Sequence, residues 1–354
     1  MKRAIVTTGG TGGHIFPALA VAAELRAMHP GLELLFVGGE GPEGRLARDA
    51  DIEFRGLPVR GVLGRGLHAI PAMMRMGMSL VSALGIVRGF NPEVVAGFGG
   101  YAGFCPVLAA WMLGVPTAVH EQNSIPGATN RILGRLAERV LVTYPDDTGA
   151  FPARKVVLTG NPVRPEISRV AGTESSRVVP KRILVLGGSQ GAKAVNRMMV
   201  TAWPRLAASG LELWHQTGPM DYESVSHLYR NEQNVRVEPF ISNMAEAYAW
   251  ADVVIGRAGA STLAELACAG KPSVLVPFPH ATHDHQSVNA SYLERAGAAV
   301  VIPEKQLNVQ VLTDTVLGLL GDADKLSEMG RAARSQARPQ AARAIAEELT
   351  RLAA

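Results

Sequence analysis

A chain of 354 residues is long for one compact domain and comfortable for two, at roughly 150 residues each. Its composition, 47% hydrophobic and 19% charged, excludes disorder, and 38 glycines and 22 prolines without a collagen repeat punctuate many short elements. A net charge of +4 argues against a general nucleic-acid binder, and two cysteines without a CxxC pair, Cys105 and Cys268, exclude a disulfide framework and fit a reducing cytosol.

In chain order, Met1-Lys2-Arg3-Ala4-Ile5-Val6 runs straight into Gly9, which leaves no room for a signal-peptide core. Strands are predicted at residues 4–8, 34–37, 94–96, 117–119 and 140–142, separated by helix-length segments. That alternation reads as parallel α/β architecture. Residues 54–92 hold no Asp or Glu but contain Arg55, Arg60, Arg65, Arg75 and Arg88. Inside that stretch Met73, Met74, Met76, Met78, Leu80, Val81, Leu84 and Ile86 form a helix-length apolar segment. A spanning helix needs about 20 apolar residues, and Arg75 interrupts this one. The expectation is a helix that lies on a membrane; the alternative is a core helix under the first sheet.

Residues 164–180 hold no apolar run and read as a linker. A second series of strands is predicted at residues 183–186, 213–215, 235–237, 253–255, 273–276 and 299–302. The division expected is 1–161 and 162–339, each half a Rossmann-like domain. The tail predicts an amphipathic helix, Ala341–Leu352, with 340–354 free on this reading to pack back on the first domain.

The two series begin alike. Lys2-Arg3, a strand and Gly9-Gly10-Thr11-Gly12-Gly13 are echoed by Lys181-Arg182, a strand and Gly187-Gly188-Ser189-Gln190-Gly191. Such turns aim backbone N–H groups and a helix N-terminus at one point, which favours an anion. Ile15 stands where a dinucleotide fingerprint requires Gly or Ala, and no Walker-type GxxxxGK[ST] occurs. The fold class read here is α/β, two Rossmann-like domains with parallel sheets facing across a cleft.

Residues 187–191 also match the G-x-S-x-G elbow of hydrolases, with Ser189 as nucleophile and Asp252, or Asp284 with His285, as partners. An elbow normally follows several strands of its own sheet, however, and the turn is already explained as a phosphate loop. Metal sites are not expected. His280-Ala281-Thr282-His283-Asp284-His285 lacks an outlying ligand, and His120-Glu121-Gln122-Asn123-Ser124 has Ser124 where a zincin needs its second His. Neither Asp49-Ala50-Asp51 nor Asp322-Ala323-Asp324 follows an apolar strand, and Asp324 reads as a helix cap.

Three clusters call for a ligand instead. Gly97-Phe98-Gly99-Gly100-Tyr101 opens a helix after a strand, and residues 120–124 place polar side chains at the carboxyl edge of a parallel sheet, where ligands bind. Residues 256–265, with Gly256, Arg257, Gly259, Ser261 and Glu265, admit a phosphate to a helix N-terminus and place a carboxylate one turn in.

Taken together, residues 9–18, Gly99-Gly100-Tyr101, His120-Glu121-Gln122-Asn123, Gly160-Asn161-Pro162-Val163-Arg164, residues 187–192 and residues 257–265 resemble the MurG family. Its members transfer N-acetylglucosamine from UDP to lipid I and make lipid II for bacterial peptidoglycan. The resemblance implies a GT-B fold, with the donor in the second domain and the lipid acceptor in the first. By position, Arg164, Ser189, Ile241 and Glu265 would hold UDP, with Ile241 meeting uracil through its backbone and Glu265 the ribose. Ala260, Ser261, Thr262, Leu263 and Ala264 would hold the diphosphate. Gln286, Asn289, Thr11, Gly12, Gly13 and Asn123 would face the sugar, and Gly10, Gly99, Gly100 and Tyr101 the acceptor. The histidine-rich loop at residues 279–285 departs from the pattern and puts the sugar contacts there in doubt.

The resemblance further implies UDP-N-acetylglucosamine and lipid I as partners, an anionic membrane surface, a peripheral place on the cytoplasmic face, and room for other cell-wall synthesis proteins. No cofactor is expected, because helix N-termini and Arg164 can carry the diphosphate charge. His14, opening the first helix, is the expected general base of an inverting transfer. A helix-capping or phosphate-binding His14 is the alternative, and Glu121 is the next candidate base. Two other functions remain open: a UDP-N-acetylglucosamine 2-epimerase, which would need no lipid-facing surface, and a non-catalytic membrane scaffold, which would need no ligand motifs.

Overall fold

The computed structural model describes residues 1–10, 12–58, 69–170 and 181–354, with side chains of the helix Ala69–Phe90 described from Arg75 onward. Thr11, Arg60 and Arg65, and the side chains of Met73 and Met74, lie outside the described residues. The chain forms two compact units, Met1–Arg164 with Pro339–Ala354, and Pro165–Arg338.

In the first unit, β1 (Arg3–Thr7), β2 (Glu33–Gly38), β3 (Glu53–Gly56), β4 (Val94–Gly97), β5 (Thr117–Glu121), β6 (Arg139–Val142) and β7 (Val156–Leu158) form one sheet in the order β3-β2-β1-β4-β5-β6-β7. Every pairing is parallel, with Ile5 opposite Leu35 on one side and Val95 on the other. The second unit repeats the plan with β8 (Arg182–Leu186), β9 (Glu212–Gln216), β10 (Val235–Glu238), β11 (Val253–Gly256), β12 (Ser273–Leu275) and β13 (Ala299–Val301), ordered β10-β9-β8-β11-β12-β13 and again parallel. The strand order reverses between β1 and β4 in one sheet and between β8 and β11 in the other. Those reversals open the crevices in which doubly wound sheets bind ligands.

Helices cover both faces, so the central strands are continuous apolar runs without alternation. Ile5, Leu35, Val95 and Val119 pack one face of the first sheet, and Val6, Phe36, Val94 and Ala96 the other. The expected strands fall where the chain is apolar; β3 and β7 are two further strands that the hydrophobic pattern does not predict. Both are edge strands: Glu53, Arg55 and Gly56 are exposed, and β7 has three residues. Edges carry weak apolar patterning because only part of their surface is covered.

Three expectations are corrected. The presumed linker opens with a helical turn, Pro165–Ser168, whose Ile167 is fully buried; residues 171–180 lie outside the described set. Asp322, not Asp324, caps the helix Ala323–Ser335, accepting from the Lys325 N–H at 2.9 Å. In the helix Ala69–Phe90, Met76, Leu80, Leu84 and Ile86 pack against the core, so the apolar segment is not one lipid-facing stripe. Its exposed side carries Arg75, Met78, Val81 and Arg88. No described helix is long and apolar enough to cross a membrane.

The C-terminal helix Ala341–Leu352 returns to the first unit, adding Ala342, Ile345, Ala346 and Leu349 to its core. His29 and Thr350 meet at 2.8 Å, and Arg139 lies 3.7 Å from Glu348.

Candidate active site

In the first unit, two glycine loops meet at the carboxyl ends of β1 and β4. Gly10, Gly99 and Gly100 have φ of 104°, 85° and 76°, which disfavours any side chain. A Cβ on Gly100 would land on the Gly9 carbonyl, and one on Gly99 would come within 3.3 Å of His14 Nδ1. Glycine therefore lets the two loops touch and lets the His14 ring lie against the second. Tyr101 follows, partly exposed at 38%.

His14 stands in the first turn of the helix Gly12–Met28, its Nδ1 3.0 Å from Gln122 Oε1. Gln122 Nε2 donates to the Phe98 carbonyl at 2.9 Å and lies 3.1 Å from His120 Nδ1. His120 Nε2 lies 3.0 Å from the Gly160 carbonyl, and its ring packs 5.5 Å from that of Phe98. Burial lowers the His120 pKa to about 4, the bond to Gly160 opposing and nearby His14 adding, so this imidazole is neutral at physiological pH.

The strand's alternation sends Glu121 the other way. Its buried carboxylate accepts from Asn123 N at 3.0 Å and Asn123 Nδ2 at 3.3 Å on one oxygen. The other accepts from Gly127 N at 3.1 Å and Asn130 Nδ2 at 2.9 Å. Four donors on one carboxylate describe a brace for the loop after β5, which contradicts the idea of Glu121 as a base. Asn123 is tied into that brace. The Arg164 guanidinium sits 4.9 Å from the Phe16 ring, on the helix that carries His14.

In the second unit, the loop after β8 is held by Gln216. Its Oε1 accepts from Gly188 N, and its Nε2 donates to the carbonyls of Gly188 and Pro239, each at 3.0 Å. One side chain thus ties the phosphate-loop candidate to the segment that leads into Ile241. Ile241 itself is buried, at 2% exposure. Ser189 is exposed at the tip of the loop.

The helix Ala260–Ala269 follows β11, and its N-cap, Gly259, supplies no side-chain cap. The first N–H groups of a helix lack intrahelical partners and carry the positive end of its dipole. Ser261, Thr262 and Ala264 are half-buried along this turn, whereas Ala260 and Leu263 point inward and offer only backbone. Glu265 Oε2 accepts from Tyr248 Oη at 2.9 Å, which fixes the carboxylate one turn into the helix.

Several residues of the ligand motifs also hold the scaffold. Asn289 is fully buried and donates to the Ala258 carbonyl at 3.4 Å, which supports the turn from below. Gln286 Oε1 accepts from Ala258 N at 3.2 Å and Phe278 N at 3.0 Å, leaving its amide N–H groups as what it can present. Arg257 is spent on Glu304 at 2.6 Å and on the Val276 and Pro277 carbonyls at 3.2 Å. Asp252 accepts from Lys181 N and Arg182 N at the amino end of the sheet, away from Ser189 at its carboxyl end. Asp284 accepts from Ser287, and His285 Nδ1 engages the Thr282 carbonyl. The hydrolase triad is therefore not assembled. Among the described residues no three His, Cys, Asp or Glu side chains come together as a metal site.

In the polar run at residues 120–124, the sequence alone assigns no role to His120 or Gln122. Their i, i+2 spacing at the end of a strand places both on one side, which was the available signal. Gln216 had none, since nothing local marks a glutamine that reaches back to a loop 28 residues earlier.

Comparison with known proteins places these features. The glycosyltransferase family 28 N-terminal domain matches residues 4–142, and the family 28 C-terminal domain residues 182–346. A UDP-N-acetylglucosamine--N-acetylmuramyl-(pentapeptide) pyrophosphoryl-undecaprenol N-acetylglucosamine transferase of Solidesulfovibrio magneticus is 52% identical over 364 aligned residues, covering 100% of this chain and 99% of the relative. The crystal structure of Acinetobacter baumannii MurG is similar over 99% of this chain and 100% of its own, with 34% identity and a TM-score of 0.80. A UDP-GlcNAc 2-epimerase from Neisseria meningitidis is similar in fold alone, at 15% identity and a TM-score of 0.69 over 99% of this chain and 100% of its own. With both family 28 domains present in order and relatives of this identity along its whole length, the chain is a glycosyltransferase of GT-B fold and belongs to the MurG family.

Proposed function

We propose that the protein moves N-acetylglucosamine from UDP-N-acetylglucosamine to the 4-hydroxyl of the N-acetylmuramyl unit of undecaprenyl-linked lipid I, with inversion at the sugar's anomeric carbon. The observation that carries this beyond family membership is the pairing of two kinds of site on two similar sheets. The second unit ends β11 in an uncapped helix N-terminus with Glu265 one turn in, suited to a nucleoside diphosphate. The first unit sets a histidine in the first turn of the helix after β1, its ring fixed by Gln122 just past β5, suited to taking a proton.

The acceptor hydroxyl gives its proton to His14 as its oxygen attacks the anomeric carbon from the face opposite the diphosphate. The bond from that carbon to the diphosphate oxygen breaks, and UDP leaves with the electron pair. The growing negative charge is met by the backbone N–H groups of residues 260–264 and by Arg164. Glu265 takes the ribose, the main chain of Ile241 the uracil, and Ser189 with the Gly187–Gly191 turn the phosphates. Gly12, Gly13, Gln286 and Asn123 line the sugar; Gly10, Gly99, Gly100 and Tyr101 receive the acceptor. Glu121 and Asn289 act by bracing the loops that carry these groups. No metal is required in this reading.

The acceptor's polyprenyl chain stays in a bilayer, so the protein must come to it. Exposed Met78 and Val81, flanked by Arg75 and Arg88, and exposed Trp111, Met112 and Leu113 on the helix packed beside them, suit an anionic leaflet. Each arginine at such a surface adds about 1 kcal/mol and the apolar side chains add more. The cytoplasmic face of the cell membrane, occupied peripherally, follows from where UDP-sugars are made.

The reading is tested by supplying sugar-labelled UDP-N-acetylglucosamine and lipid I, with and without EDTA. Label should enter a lipid-linked disaccharide with β configuration, undiminished by EDTA. Label recovered in the N-acetylmannosamine epimer, still on UDP or freed from it by water, without need of lipid, would make the protein an epimerase.

A further inference from the structure

The polar chain behind His14 has a direction that hydrogen-bond chemistry fixes. A carbonyl can only accept, so the Gln122 nitrogen must face the Phe98 carbonyl, which decides the orientation of an amide that could otherwise be flipped. Gln122 Oε1 then faces His14 Nδ1 and can only accept, so Nδ1 must carry the proton. At the other end, the Gly160 carbonyl demands a proton on His120 Nε2. A neutral His120 therefore offers a lone pair at Nδ1, where the second N–H of the Gln122 amide arrives. Every donor finds one acceptor along the series.

From this geometry we propose that Gln122 and His120 are positioning residues that lock His14 in its Nδ1–H tautomer and so present the Nε2 lone pair as the proton acceptor. The inference rests on the reading of His14 as general base and adds to it how the base is held ready. His120 supports this role because it stays neutral: buried at 1% exposure, it resists the proton that would turn its Nδ1 into a competing donor. The Phe98 ring packs on one side of it, and the missing Cβ of Gly99 leaves room for the His14 ring. The Gly160 carbonyl closes the chain four residues before Arg164, so one network spans both the proposed base and the loop that leads to the proposed phosphate ligand.

The test is a two-bond ¹⁵N–¹H correlation spectrum of the full-length protein labelled at histidine nitrogen, with His14 signals assigned by their loss in His14→Gln. The expected result is a proton on Nδ1 of His14 and on Nε2 of His120. In Gln122→Met, which keeps the length but neither polar atom, His14 should shift toward the Nε2–H tautomer. Its kcat should fall on the order of 100-fold while the donor KM is kept. Gln122→Glu, which still accepts from Nδ1, should keep the wild-type His14 tautomer. A wild-type His14 carrying its proton on Nε2 overturns the proposal, as does an unchanged tautomer with unchanged kcat in Gln122→Met. Because the wild-type spectrum decides the tautomer alone, a variant that fails to fold costs nothing. Normal turnover in His14→Ala would instead remove the base reading, with the spectrum still deciding the relay.

Discussion

Glu121 ends β5, His14 stands in the first turn of the helix after β1, and the two use opposite chemistry. The Glu121 carboxylate already accepts from two backbone and two amide N–H groups. Glu121→Gln would set an NH₂ against donors, which costs about 1–3 kcal/mol for each buried group left unsatisfied. The expected outcome is a lower unfolding midpoint in urea with the acidic limb of the pH–rate profile in place. Full stability with that limb lost would make Glu121 the base after all. A second buried histidine, His215, gives a pH signature. It lies in the network of Asn196 and Tyr229, and burial lowers its pKa to about 3. Unfolded, a histidine titrates near its ordinary value, so below about pH 6.5 the unfolded chain binds a proton that the native ring refuses. Stability from this site is complete above that pH and falls by about 1.4 kcal/mol per unit as pH drops toward the native value. Urea midpoints at pH 7 and pH 5 should therefore diverge more in wild type than in His215→Gln; parallel losses would contradict the assignment.

Among the elements, the helix Ala69–Phe90 shows where hydrophobic pattern alone misleads. Among its described side chains, Ser79, Ala83 and Val87 are buried on the inner side, and the strip through Met78 and Val81 is apolar and exposed. Replacing both with Asp should release the protein from anionic vesicles without changing its melting temperature, whereas Leu80→Asp should unfold it. Wild type that ignores anionic vesicles would place the docking surface elsewhere. The central strands were legible because a parallel sheet covered on both faces forces continuous apolar runs at β1, β4, β8 and β11. The edge β3 carries no such run, and that of β7, Val156-Val157-Leu158, is only three residues long and half-covered. The glycine loops were legible too, since Gly99 and Gly100 are demanded by positive φ and by the close approach of Gly9. What stayed hidden was which polar side chains face a ligand. Asn289, Gln286 and Arg257 stand in ligand-rich motifs, yet they are bonded to neighbouring loops, and only three-dimensional contact reveals that.

On the scale of the whole molecule, one parallel sheet plan is used twice. The C-terminal helix completes the first unit: Ile345 and Leu349 are fully buried beside Val21 and Leu25 of the helix that carries His14. Ile345→Ala should cost about 2–5 kcal/mol. Hydrogen exchange should then quicken in β1 and β2 and stay slow in β8 and β9; equal quickening everywhere would mean that the two units do not hold their stability separately. If the second unit carries donor binding and the first carries the base, the two functions must separate in one variant. His14→Ala, measured by UDP calorimetry and by turnover of lipid I in parallel, tests this most directly. The account predicts wild-type UDP affinity with turnover reduced roughly 100-fold or more. Turnover near wild type would contradict it.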